Sequence, residues 1–464
     1  MNTRAFKVFR LLIAAGGLVL GASAAVEETP AAPELGTPQA PEKVARFLEL
    51  FVGGYQVHGR RDPKWDPAAL SALKQFADAR SGAVEWTTES GREMVRLARA
   101  ALDSGCPDPL VQYIHWRRGD RAARALINIT EIASSLEASG YDPLLKSYGH
   151  YWAYEALHPA PRSTPPSAQA LRALSDAMAR FREALERPGF PENEFEDLGR
   201  SLAAQLNTSA LVDLHWPAVE TLLVSRHGDS AAAQLFLGDR STTFAWTARG
   251  GGWASDVTET GWRLFETRLS TAETALRNAW RLDPSLPTTP ERMIWVCIGR
   301  GHNRREMELW FQRGRNLTVG SYELHHGKAT YLMPKWHGSI KEVLEFGRQC
   351  LTEPGAAGRP RLTLVDIHEE LERCSRTSAK VDLAYFREPV VWREIRSSFE
   401  AFFKDQPEAV GWHHNFALHA WRAQDWAVLN AEIPKLGSKI NFKYFGGQDA
   451  YEQMLADAAA HAAR

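Results

Sequence analysis

An all-α fold of stacked antiparallel helix pairs is the architecture that this 464-residue sequence predicts. Three observations carry that expectation. From about residue 42 onward, the alternating β-branched stretches that mark strands are missing. Asp66-Pro67, Asp108-Pro109 and Asp142-Pro143 each set a side-chain acceptor before a proline suited to the first helical turn. Apolar residues return every three or four positions, as at Leu171, Leu174, Met178, Phe181 and Leu185. The composition fits a packed core, with 44% hydrophobic residues, 24% charged residues and sixteen Trp.

The chain opens on a different pattern. Arg4, Lys7 and Arg10 precede an apolar run from Leu11 to about Ala22, and Ala22-Ser23-Ala24 or Ser23-Ala24-Ala25 offers a small-x-small cleavage site. This predicts a secretory signal peptide over 1–25, with the mature chain periplasmic or secreted in a bacterium. The apolar run is shorter than the roughly 20 residues of a membrane span, so no span is expected after cleavage. Residues 26–41, rich in Pro, Ala and Glu, read as a disordered linker. Losing residues 1–25 removes three positive charges and no negative ones, leaving 52 basic against 56 acidic side chains, a formal charge of −4. Such a balance argues against a nucleic-acid partner. Cys106, Cys297, Cys350 and Cys374 are far apart and form no CxxC pair, so both disulfides and buried free thiols stay open.

Helices follow in order. Ser167 is placed to cap a helix over 168–187, and the Pro-rich segments at 158–166, 186–193 and 352–361 read as loops. Thr289-Pro290 opens an apolar helix that Gly301 closes. Asn303 stands three residues before Glu306, and Ser339 three before Glu342, both in capping-box spacing. Between them, Met307, Trp310, Phe311, Gly314 and Leu317 share one helical face, as do Tyr322, His326, Ala329 and Met333; Pro334 ends that helix. Ile340, Val343, Leu344, Gly347 and Cys350 form the next face. In Trp336-His337-Gly338-Ser339, Gly338 supplies the bend, Ser339 the cap, and Trp336 packs under the turn. Second helices begin near Arg304 and Ile340, first helices near Pro290 and Tyr322. Their offsets of 36 and 32 residues bracket the 34-residue tetratricopeptide period. A lone helix pair cannot bury its apolar face, so several must stack.

Four segments add a resemblance. "WTARGGGWASDVTETGWRLFETRLSTAETALRNAWRLDP", "EMELWFQRG", "YLMPKWHGSIKEVLEF" and "VVWREIRSSFEAFFKD" together resemble a family of tetratricopeptide-like bacterial proteins carrying a domain of unknown function. The likeness is best over 240–464. Within 42–239, "SGCPDPLVQYIHW" is similar to the family's N-terminal helices. It implies a tetratricopeptide-like α-solenoid over 240–464 preceded by an N-terminal helical region at 42–239, and little chemistry.

Catalytic patterns are hard to find. The stretch "RGGGWASD" at 249–256 lacks the Lys-Ser/Thr end of a P-loop, and Asp256 with Glu259 reads as a helix cap. "HEELE" begins like a zinc motif at His368-Glu369, but Glu372 stands where the second His belongs. His325-His326 and His413-His414 are adjacent pairs that point apart on a helix, and His419 follows His414 by five residues rather than three or four. A metal site would have to join His302, His325, His326 and His337 across helices. There is no GxSxG elbow. The expected function is therefore a non-enzymatic scaffold for a protein or peptide, without a cofactor. Trp253, Trp310, Tyr322, Trp336, His337 and Trp412 are its structural or groove-lining residues. The alternative is an exported enzyme or carbohydrate-binding protein with a cleft rich in Trp and His. Exposure of Trp246, Trp253, Trp336 and Trp412, or a cleft pairing His with a carboxylate, would favour it.

Overall fold

The computed structural model describes residues 41–119, 128–159, 164–376, 380–437 and 440–462. The signal-peptide and linker expectations, up to residue 40, lie outside the described residues. Among those described, every regular element is helical and there is no strand, so the all-α expectation holds. None of the described helices is long and apolar enough to cross a membrane. The chain divides into two compact units, with the division at Arg240/Ser241 inside the Ala231–Arg249 helix.

In the N-terminal unit, each helix packs on its neighbours in sequence. The Asp66–Ser81, Thr88–Asp103 and Pro109–Arg118 helices form one run, and the Ile129–Glu137, Pro143–Leu157 and Ala168–Glu186 helices another. Caps account for most starts: Asp108 accepts from the Leu110 N–H, Asp142 from Leu144 and Ser167 from Ala170. Asp66 departs from its expected role. It lies inside its helix, with Trp65 at the cap position, and its carboxylate accepts from the Tyr55 hydroxyl at 2.8 Å and the Asp62 N–H at 3.2 Å. A short acidic side chain caps whichever donors the tertiary fold brings to it. Tyr55, Tyr154, Phe181 and Phe195 are buried at the centre.

The C-terminal unit pairs helices regularly. The Glu259–Leu282 helix packs on Thr288–Arg300, which packs on both Arg304–Leu317 and Tyr322–Leu332. Tyr322–Leu332 in turn meets Ile340–Thr352 and Thr363–Ser375. Beyond these come Pro389–Asp405, Val410–Ala423, Trp426–Glu432 and Gln448–Ala462, each against its predecessor. Close approach depends on missing side chains: a Cβ on Gly314 would lie 2.6 Å from Leu324, and one on Gly347 2.7 Å from Leu364. Gly301 closes its helix in the left-handed conformation at φ 67°.

Two capping boxes form only in part. Asn303 and Ser339 accept from the N–H groups of Glu306 and Glu342 at 3.1 and 3.3 Å. The glutamates do not return to the cap N–H groups. Glu306 accepts from Trp310 Nε1 and Arg277, and Glu342 from the Ser339 hydroxyl and Arg304. Ion pairing to the helix two places earlier outcompetes the bond to the cap N–H. Asp256 and Glu259 do not act together either: Asp256 takes the Trp253 N–H, and Thr258 caps the helix through the Gly261 N–H.

Candidate functional site

A connected series of rings and guanidinium groups runs through the C-terminal unit. Arg249 lies 5.3 Å above the Trp336 ring and 5.6 Å from that of Trp262. Trp336 meets Trp246 edge-on at 5.5 Å, and Trp246 meets Trp295 at 5.8 Å. Trp295 lies 6.0 Å from His326, which stacks on Tyr322 at 5.5 Å. Arg359 then caps the Tyr322 ring at 3.8 Å and reaches Trp412 at 5.4 Å. The Ala231–Arg249, Glu259–Leu282, Thr288–Arg300, Tyr322–Leu332 and Val410–Ala423 helices supply these groups, with Trp336 on the turn before Ile340–Thr352 and Arg359 on the 3-10 turn Arg359–Leu362.

Acidic side chains of the Thr363–Ser375 helix join this series. Asp366 accepts the Tyr322 hydroxyl at 2.8 Å. Glu369 faces His419 and Arg422, each at 3.2 Å, and Glu370 faces Lys335 and Arg373. Glu369 keeps 48% of its side-chain surface open to solvent. Desolvation by the neighbouring protein raises its carboxyl. His419 and Arg422 outweigh that desolvation and hold Glu369 at about 2. Burial biases His419 toward its neutral form, so Arg422 supplies the opposing charge.

Asp366 and His326 are tuned the other way. Burial pushes the Asp366 carboxyl up to about 7; the Tyr322 hydrogen bond and Arg359 oppose the rise, and Glu369 adds to it. Burial, reinforced by Arg359, pushes His326 down to about 4, so it is neutral at physiological pH. Burial and the Asp366 charge raise Tyr322 far above the usual phenol range. The result is a neutral ring pair beside a carboxyl that changes charge near neutrality.

The predicted residues separate. Tyr322, Trp336 and Trp412 belong to the series, each half-buried. Trp310 is 1% exposed and sits in the core against Trp280, with Arg313 over it at 4.3 Å. Trp253 stands 46% exposed on a 3-10 turn. His337 is exposed yet held by the Ile298 carbonyl at 2.9 Å and the Tyr331 ring at 4.7 Å. Of the four Trp proposed as exposure markers, Trp246 is buried, Trp253 exposed, and Trp336 and Trp412 intermediate. Sequence reasoning passed over Arg359 and Asp366. Their nearest signal was the apolar pattern around them, which gives no hint of which charges will meet.

The four-His constellation does not assemble. His302 faces Glu273 at 3.2 Å, His325 faces Glu353 at 3.0 Å, His326 lies among rings, and His337 bonds a carbonyl. Among the described residues, no group of three or more His, Cys, Asp or Glu is placed to hold a metal ion. His368 bonds Tyr385 and Glu394, both at 2.9 Å, and His413 bonds Glu432 at 2.5 Å while stacking on Phe403. These are satisfied interior histidines. All four cysteines are free, and Cys374 alone is exposed. In the N-terminal unit, an open depression of about 630 Å³ lies at the turn between the Asp66–Ser81 and Thr88–Asp103 helices. Two of its acids pair locally, Asp78 with Lys74 and Glu93 with Arg96.

No family model matches this chain, and a search of curated proteins finds no match either.

Proposed function

We propose that the C-terminal unit is a tetratricopeptide-like stack of helix pairs, and that the protein is an exported, non-enzymatic scaffold holding a peptide segment of a partner protein. The Tyr322–Leu332 helix touches both Thr288–Arg300 and Thr363–Ser375, with a second helix between each pair in sequence. That is the arrangement expected of stacked repeats, whose first helices line one shared face. The resemblance to tetratricopeptide-like bacterial proteins points the same way.

The observation that carries the reading is the composition of this face. Half-buried rings and a carboxylate with no cation paired to it can recognise a chain of mixed polarity. Peptides present such chemistry. A sugar-binding face needs open ring surfaces for stacking, whereas Arg359 and Arg249 already cover Tyr322 and Trp336. The His419–Glu369 pair resembles acid–base machinery, as do the His302–Glu273, His325–Glu353, His368–Glu394 and His413–Glu432 pairs, but Arg422 holds the Glu369 carboxylate as a fixed charge.

The test is a library of unstructured peptides of about a dozen residues, screened against the chain. The reading expects binders that compete with one another and that are lost in a Tyr322→Ala/Trp412→Ala double variant of unchanged helicity. Absence of binders, or binders indifferent to that variant, refutes it.

A further inference from the structure

Unpaired arginines standing in water need no explanation, and Arg263, Arg281 and Arg305 are of that kind. A buried Nε without an acceptor is also common in this chain, as at Arg46, Arg182 and Arg200. Arg249 combines such an Nε with a second buried donor. Trp246, one helical turn earlier on the Ala231–Arg249 helix, is 5% exposed, and its indole N–H is buried with no acceptor. Both side chains lie against the Trp336 ring, Trp246 at 5.5 Å and Arg249 at 5.3 Å, and the Trp262 ring flanks the guanidinium at 5.6 Å. Arg249 Nη1 donates to the Gly250 and Gly252 carbonyls at 3.1 and 3.2 Å. Nε and Nη2 make no bond, and among the described residues no carboxylate pairs with this half-buried group. Asp256, the acid of the same loop, accepts instead from the Trp253 N–H at 3.1 Å and the Ser255 hydroxyl at 3.4 Å.

A buried N–H without an acceptor is costly. Two of them beside a guanidinium with no countercharge call for one ligand group that only accepts and carries negative charge. The Nε–Nη2 edge of a guanidinium matches the two oxygens of a carboxylate. We propose that Arg249 and Trp246 form a receiving site for a carboxylate of the bound peptide, either its chain terminus or an acidic side chain; this rests on the peptide-scaffold reading above. The carboxylate seats on the Nε–Nη2 edge and takes the indole N–H as a third donor. A phosphate dianion fits less well, because one cation leaves a net negative charge among rings. There is room beside the loop, where a Cβ on Gly250 would meet no atom within 4 Å. Ring contacts no longer than 6.0 Å lead from Trp336 through Trp246, Trp295 and His326 to Tyr322. An extended peptide of about a dozen residues, roughly 40 Å long, spans both ends of that series.

The rival acceptor for the indole N–H is a ring face, since Trp336 and Trp295 both meet Trp246 edge-on, at 84° and 82°. Trp246→Phe separates the two cases, because it keeps a ring in the core and removes only the donor.

The experiment titrates the full chain with N-acetyl-alanine, N-acetyl-alanine methylamide, the α-methylamide of N-acetyl-glutamate, and inorganic phosphate, read by saturation-transfer NMR and by the indole N–H resonances. At least one carboxylate probe should bind about tenfold more tightly than the uncharged methylamide. Its binding should shift one indole N–H resonance, the one that is missing from Trp246→Phe. A tighter N-acetyl-alanine names a chain terminus as the source, and a tighter glutamate derivative names a side chain. Arg249→Gln should erase the preference, and Trp246→Phe should cut it about threefold or more. No preference for carboxylate over methylamide in the parent chain overturns the proposal. So does tighter binding of phosphate, or a Trp246→Phe chain that binds carboxylate like the parent. Peptide-library binders indifferent both to Arg249→Gln and to loss of their carboxylates remove this inference and leave the scaffold reading standing. Carboxylate probes that need Arg249 where no peptide binds keep the anion site and remove the scaffold reading.

Discussion

Replacing Gly338 with alanine tests the bend between the Tyr322–Leu332 and Ile340–Thr352 helices. A Cβ at this position would lie 2.3 Å from the Leu332 carbonyl oxygen and 2.7 Å from the Leu332 carbonyl carbon and Cα. All three are main-chain atoms, so no rotamer change relieves the overlap and the turn itself must move. That movement disturbs the Trp336 N–H bond to the Met333 carbonyl at 2.9 Å and the His337 N–H bond to the Tyr331 carbonyl at 3.1 Å. It also pulls Ser339 away from the Glu342 N–H. Overpacking of this kind costs about 1–3 kcal/mol, and loss of a serine cap about 1 kcal/mol. Reduced freedom of the unfolded chain offsets about 0.5–1 kcal/mol. The net expectation is a loss of about 2–3 kcal/mol. Urea denaturation followed by far-ultraviolet circular dichroism measures it, and hydrogen exchange should place the weakened amides between residues 331 and 343. Gly91→Ala is the matched control: no atom lies within 4 Å of its added Cβ, and it sits inside the Thr88–Asp103 helix. Alanine there should be neutral or stabilising by up to about 1 kcal/mol. If Gly338→Ala is no less stable than Gly91→Ala, the steric reasoning is wrong.

Three further outcomes are expected. Trp310→Ala should cost about 3–5 kcal/mol, because the side chain is buried against Trp280 and its indole N–H is bonded to Glu306; a loss under about 1 kcal/mol in the urea midpoint analysis would contradict its core placement. A thiol-reactive dye should label the native chain quickly at Cys374 alone and all four cysteines after denaturation, since Cys106, Cys297 and Cys350 are buried and burial pushes Cys297 and Cys350 up to about 12; rapid native labelling of two or more sites refutes this. Finally, a carboxyl raised by folding penalises the folded state as pH climbs from its unfolded value near 4 to about 7, and fully above that. The stability advantage of Asp366→Asn over the parent should therefore widen from pH 5 to pH 8, and an unchanged gap would exclude a perturbed Asp366.

Helix content and many boundaries were legible without coordinates because they depend on neighbours in sequence. Asp108, Asp142 and Ser167 cap where their spacing says they should, and Gly301 ends its helix through a conformation that L side chains rarely adopt. The same local logic failed for the second half of each capping box. Glu306 and Glu342 each had the cap N–H in reach, and each took an arginine from another helix together with a local side-chain donor instead. Spacing states which bonds are possible and is silent about competing charges brought in by the fold.

The candidate site divides along the same line. Tyr322, Trp336 and Trp412 could be picked out as aromatic residues near helix starts and turns, although nothing local distinguished them from Trp310, which turned inward. Arg359 and Asp366 carried no readable mark, because the meaning of each lies in contacts across 37 to 53 positions of chain, from Tyr322 to Arg359 and from Arg359 to Trp412. By itself the amino-acid order determined that this chain is helical and where most of its helices begin, since capping and periodicity act over a few residues. Only tertiary structure decided which rings and charges meet, because desolvation and charge pairing are properties of surroundings assembled from distant segments.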